Sequence, residues 1–249
     1  MSYSSTPRRS YQLDVVGEVS AAYHAVFDRL QLVGEMALLP FLVMIAVEIA
    51  VHFLHSAGSV LGAAVFGIVH AIVQLVFGLV FIVRWYRFLL LNETVGGGLI
   101  PPGWTASLVV GIKLVLFMLA AIIPIVVVTF LIPIVAPPLS LIGAIAIALV
   151  SVRISLVFPA AAIDQPISFR TAWDWLEGNY WRLVATEFAC YLPFVIVGYV
   201  LKIIARTLPS LFSIIFDALQ LAVSFAGWAV VAAVLAHVYR DLVGPPHSA

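Results

Sequence analysis

The chain has 249 residues, of which 64% are hydrophobic and 10% charged, and its formal net charge is +0. Soluble domains carry roughly a quarter charged residues, so a mean hydropathy of +1.17 excludes a protein whose main solvent is water. The charge balance gives no reason to expect nucleic acid, and 27.0 kDa of mostly apolar sequence predicts one membrane domain.

In chain order, residues 1–12 form a polar tail, MSYSSTPRRSYQ. The tail is too polar for a signal peptide and no A-x-A-like site follows the first apolar run, so the first span is expected to stay as an uncleaved anchor. Leu13–Val33 carries Val16, Val19, Tyr23, Val26, Phe27 and Leu30 at helical spacing, with Asp14, Glu18, Asp28 and Arg29 elsewhere around the helix. This predicts an amphipathic helix lying in the cytoplasmic headgroup layer. A hydrocarbon core about 30 Å thick needs roughly 20 helical residues. Six stretches qualify: Met36–His55, Val60–Val83, Ala106–Leu131, Leu139–Ala162, Leu183–Ile204 and Leu211–His237. They are too long and continuous for the short alternating strands of an outer-membrane barrel.

Pro133 with Pro137-Pro138 marks a helix stop between the third and fourth spans, while Pro124, Pro159 and Pro193 predict kinks inside spans. Between the fourth and fifth spans, Ser168–Glu177 puts Phe169, Ala172, Trp173 and Leu176 on one face and Arg170, Asp174 and Glu177 on the other. Pro166 and Ser168 suit its start and Gly178-Asn179 its end, giving a second interfacial helix over 168–177. Residues 244–249 are a short tail. The expected fold class is all-α, a polytopic bundle of six transmembrane helices with two interfacial amphipathic helices.

Lysine and arginine set the direction. Arg8, Arg9, Arg29, Arg84, Arg87, Arg170, Arg182 and Arg240 fall on one side if the helices alternate, and only Lys202 and Arg206 flank a span on the other. Both termini are therefore expected in the cytoplasm. Trp85, Trp104, Trp173, Trp175 and Trp181 map to that same interface. Each even-numbered span also carries an arginine toward its cytoplasmic end with an acid soon after: Arg84 and Arg87 with Glu93, Arg153 with Asp164, and Arg240 with Asp241. This spacing fits three hairpins repeated in parallel, and the positive-inside bias fits it equally.

An ionisable side chain near the bilayer centre faces the bundle interior and finds a partner. The candidates are Glu48, His70, Lys113, Arg153, Glu187 and Asp217. At 1.5 Å per residue, Glu48 and His70 reach similar depths on adjacent helices, and Lys113, Arg153 and Glu187 share the cytoplasmic half. Asp217 lies near the far face, within reach of Lys202. These groups either form a polar path for protons or a charged solute, or are internal pairs that fix helix register. Glu48, His52 and His55 have ligand-like spacing on one helical face, but no Cys or Asp on a neighbouring loop completes a metal site, so none is expected.

Gly96-Gly97-Gly98 lacks a following Lys-Ser or Lys-Thr and reads as a loop rather than a phosphate cradle. No G-x-S-x-G, H-E-x-x-H or clustered acidic pair occurs, so no catalytic residue is assigned and no cofactor is expected. The single Cys190 excludes an internal disulfide.

Two stretches, RWYRFLLLNE with its Gly/Pro-rich sequel and RISLVFPAAAIDQPISFRTAWDWLEGNYWRL, resemble a group of bacterial six-helix inner-membrane proteins. That group is distantly similar to the membrane domain attached to some glycerophosphodiester phosphodiesterases. The residues carrying the likeness are Arg153, Pro159, Asp164, Ser168, Trp173, Gly178, Asn179, Trp181 and Arg182. The resemblance covers about a quarter of the chain and implies a six-helix fold, without the phosphodiesterase activity. Arg84, Arg87, Glu93, Asp164, Arg170, Trp173, Asn179 and Arg182 form the cytoplasmic interface motif, and Arg153, Arg170 and Arg182 would surround a wet, aromatic-lined niche for a lipid headgroup or serve equally as plain scaffolding. The expected function is a non-enzymatic accessory, assembly or lipid-interacting factor. Its partners would be membrane lipids and either another membrane protein or a second copy of the chain. A small-solute or proton-coupled transporter using Glu48, His70, Arg153 and Glu187 is the alternative.

Overall fold

A computed structural model of the chain describes residues 12–55, 60–93, 101–102, 104–113, 116, 136–207 and 210–243, which form helices and turns with no strand among them. Helix α1 runs Val15–Phe27, α2 Leu30–His55 and α3 Val60–Leu91. Helix α4 is described over 104–113. Then follow α5 (Ala136–Ile154), α6 (Val157–Ala162), α7 (Phe169–Trp175), α8 (Tyr180–Thr207) and α9 (Ser210–Val243).

Local chemistry sets these ends. The Asp14 side chain accepts from the Val16 N–H at the start of α1, and Ser168 accepts from the Thr171 N–H at the start of α7. Gly178, at φ +84°, turns the chain out of α7, a conformation that a side chain would strain. The amphipathic segment expected over 13–33 is not one helix. The Asp28 N–H bonds to His24 and the Arg29 N–H to Val26, closing α1, and residues from Leu30 onward belong to α2.

The fourth expected span, Leu139–Ala162, is likewise divided. Proline removes one backbone donor and crowds the carbonyl four residues earlier. For Pro159 that carbonyl belongs to Ser155, and the helix breaks at Ser155-Leu156, between α5 and α6. The Phe158 N–H takes the Ser155 carbonyl instead, at 3.1 Å. Pro137 and Pro138, expected to stop a helix, stand in the first turn of α5, where a missing N–H costs nothing.

Among the described residues, four helices are long and apolar enough to cross a membrane, over Leu30–Ala50, Val69–Leu91, Tyr180–Thr207 and Ile214–Val243. The apolar part of α5, Leu141–Ile154, is shorter. Most of the third expected span, Ala106–Leu131, lies outside the described residues, with Pro124, Pro133 and the Gly96–Gly98 loop. These long apolar helices make the chain an all-helical membrane protein.

Helix α9 is the hub: it packs against α1, α2, α3, α6 and α8. Its apolar window is 56% buried, whereas that of α8 is 11% buried and turns most of its surface outward. Among the described residues, the core gathers at one end of the bundle. Phe81, Val83 and Trp85 of α3, Leu183 and Cys190 of α8, and Ala229, Val230, Ala233 and Val234 of α9 are fully enclosed there. Residues toward the other ends of these helices, such as Val69, Ile72, Val200, Ile203, Ile215 and Leu219, are exposed and apolar. Lipid solvates such surface as well as protein does, so close packing depends on small residues and specific polar contacts. At Gly227, α8 and α9 meet so closely that a Cβ would stand 3.1 Å from the Tyr191 ring and 3.2 Å from Phe194.

Gly227→Ala is accordingly expected to lower the midpoint of detergent-induced unfolding, followed by tryptophan fluorescence, by about 1–3 kcal/mol. Gly67→Ala, where nothing lies within 4 Å, should stabilise or leave the midpoint unchanged.

Candidate functional site

The packed end of the bundle is organised around Arg87, whose side chain is only 10% exposed. Its Nε and Nη2 donate to the two Glu93 oxygens at 2.7 Å each. Its Nη1 donates to Asp164 Oδ2 and to the Ala162 carbonyl, both at 2.9 Å. Two left-handed residues bring the acids in. Asn92, at φ 53°, ends α3 and folds Glu93 back onto Arg87. Asp164, at φ 59°, ends α6, where Gln165 N bonds back to Ala160 O at 2.9 Å. Asn and Asp tolerate this backbone region better than other side chains. Thus the acids from two units of the proposed repeat converge on one arginine. Arg84, one turn earlier, is half-buried.

Arg153, at the end of α5, is treated differently. Its guanidinium lies 4.1 Å from the Trp173 ring centroid of α7 and 5.0 Å from that of Tyr180 at the start of α8. The Tyr180 hydroxyl donates to the Leu149 carbonyl at 2.9 Å, one turn before Arg153, which fixes the ring against α5. Arg153 Nε is sealed from solvent and has no hydrogen-bond partner among the described residues. No ion pair joins Arg153 to Glu187. Glu187 is half-buried on α8 beside the Ser155 hydroxyl, Tyr86 and Cys190, and its Oε1 is sealed from solvent and makes no hydrogen bond among the described residues.

Two residues assigned to the interface motif hold the amino-terminal segment. Asn179 Oδ1 accepts from the Leu13 N–H at 2.9 Å, and Arg182 donates to the Leu13 carbonyl at 3.1 Å. Arg182 therefore does not join Arg153 in the expected niche; Arg170 is exposed on α7. Tyr23 of α1 donates to the Cys190 carbonyl at 3.0 Å. Glu18 of α1 lies 3.7 Å from His237 Nδ1 of α9, both largely enclosed.

Helix α1 thus buries Glu18 with Ala22, Ala25 and Val26 and exposes Val16 and Phe27, a different face from the one its large apolar residues pointed to. Small alanines let it approach α9, and His237 supplies the partner. The Glu18, Ala22, Ala25 spacing was readable, but a charge at its head conceals that face.

At the sparser end, His70 Nε2 and Glu48 Oε1 meet at 2.9 Å across α3 and α2. Glu48 and Asp217 line one groove between α2 and α9, walled by Ile45, Ile49, Ile214 and Leu221. Asp217 makes no ion pair with Lys202, which is exposed on α8. Lys113 is exposed at the end of the described part of α4. The side chains of His52 and His55 lie outside the described residues. No group of three His, Cys, Asp or Glu side chains able to hold a metal occurs among the described residues.

Comparison with known proteins adds no relative: no family model, no curated protein and no solved structure matches the chain.

Because Arg87 is enclosed while Glu93 and Asp164 reach solvent, losing the cation and losing one acid should differ. Arg87→Met is expected to destabilise by about 2–3 kcal/mol and Glu93→Gln by about 1 kcal/mol or less, both read from unfolding midpoints in detergent.

Proposed function

We propose that the chain is a six-crossing protein of the bacterial cytoplasmic membrane, with both termini on the cytoplasmic side, and that it acts without enzymatic activity as an accessory, assembly or lipid-interacting factor. The observation that carries this reading is how charge is used at the packed end. Arg87 is saturated by two acids and a carbonyl, and Arg182 lashes the amino-terminal segment. Glu18 meets His237. These groups hold helices together. What remains for a partner is the outer surface of the same corner, where Trp173, Trp181 and Arg170 are exposed. Tryptophan and arginine in that combination suit the headgroup layer of the basic side of a bilayer. The likeness to the membrane domain of glycerophosphodiester phosphodiesterases enters this reading as a fold alone.

A second reading, a proton-coupled or small-solute transporter, is favoured by the Glu48–His70 pair opening on the groove that Asp217 also lines. Midplane ionisable groups that face a cleft are the usual ingredients of a transport site.

A fluorescent reporter fused after Ala249 should be active inside the cell, while a phosphatase reporter at the same point stays silent; the reverse would reject the orientation. Purification in mild detergent should bring a partner protein or a defined phospholipid with the chain. Solute or proton flux in liposomes that vanishes in Glu48→Gln would instead establish the transport reading.

A further inference from the structure

Resting on the lipid-interacting reading, we propose that Arg153 is the anchor of an oxyanion site that takes the phosphate of an anionic phospholipid at the corner of α5, α7 and α8. A guanidinium offers five N–H donors in one plane and no acceptor. In this chain Arg87 shows what a satisfied one looks like, its edge filled by Glu93, Asp164 and the Ala162 carbonyl. Arg153 carries the same charge in a half-buried position, and its sealed Nε has no acceptor among the described residues. Its contacts are aromatic: Trp173 at 4.1 Å and Tyr180 at 5.0 Å. Rings attract and orient the cation but supply no lone pair to its N–H groups, so the donor edge keeps its capacity for a bidentate oxyanion.

The neighbouring acids do not compete. Asp174 of α7 and Glu177 just beyond it are exposed without an ion pair to Arg153, and Glu187 lies beside Ser155 without an ion pair to Arg153. The Tyr180 hydroxyl bond to Leu149 fixes one wall of the site before any ligand arrives. Trp181, tilted against Tyr180 with ring centroids 4.9 Å apart and largely exposed, extends the aromatic surface outward, and tryptophan is a residue favoured at the membrane–water interface.

The test uses the whole chain in a nonionic detergent and counts retained phospholipid by native mass spectrometry. Titrations with phosphatidylglycerol, phosphatidylcholine and inorganic phosphate identify the source of the oxyanion. Wild type should retain phosphatidylglycerol in preference to phosphatidylcholine, and Arg153→Gln should weaken that retention by about tenfold or more, the scale of one lost charge-assisted contact. Trp173→Leu should weaken it through lost orientation, and Lys202→Gln, an exposed cation toward the other end of α8, should leave it intact. Arg153→Lys keeps the charge but not the planar fork, so it should lose the preference even if the glutamine variant fails to fold.

Equal retention by wild type and the Arg153 variants would overturn the proposal while leaving a lipid-interacting protein. A co-purifying protein with no bound lipid would overturn it while leaving an accessory factor. Saturable binding of inorganic phosphate that Arg153→Gln abolishes, with no lipid preference, would keep the oxyanion site and reject the lipid as its source.

Discussion

A guanidinium enclosed in a membrane protein has to be neutralised where it sits, because water is too scarce to solvate it and an unpaired buried charge destabilises by more than most helix contacts contribute. Arg87 imposes that requirement on the whole packed end. Its acids come from the ends of two helices that are far apart in sequence, so α3 and α6 must finish side by side. The backbone yields to this demand, with non-glycine residues Asn92 and Asp164 both in the left-handed region. Two residues before Arg87, the Trp85 indole donates to the Ala229 carbonyl at 2.9 Å, which ties the same stretch of α3 to α9. Helices α3, α6 and α9 are thereby fixed relative to one another, and α1, α2 and α8 pack around α9.

The contrast between the ends of the bundle follows from the solvent. In water an exposed face of Ile, Val and Leu would drive collapse, but lipid removes that drive. Close association is therefore concentrated where hydrogen bonds, ion pairs and alanines allow it. Ala229, Ala232, Ala233 and Ala236 make that part of α9 narrow enough for its neighbours to approach, and all are buried. Farther along, α8 presents Tyr199, Val200 and Ile203 outward.

Much of this was legible in the amino acids. Apolar length marked the long helices, Ser168 and Gly178 marked the ends of α7, and depth along the helix put Glu48 beside His70. Depth is only one coordinate, however. It gave Arg153 and Glu187 the same height but could not give their direction around the helix, and the structure turns them to different neighbours. The aromatic lining expected around Arg153 is supplied by Trp173 and Tyr180, which face its guanidinium where an acid does not. The division of the fourth span was foreshadowed by Pro159 as a kink, and the carbonyl four residues earlier located the actual break. The buried side of α1 was missed because Glu18 looks like a surface residue until His237 arrives from the far end of the chain.

Cys190 has a practical consequence of its own. It is the single cysteine of the sequence, fully enclosed on α8, with its carbonyl capped by the Tyr23 hydroxyl. A thiol with no exposed surface is out of reach of a maleimide in the folded protein. The natural protein is thus already close to a silent background for maleimide chemistry, and spin labels or fluorophores can be placed at engineered surface positions without first removing a native sulfhydryl.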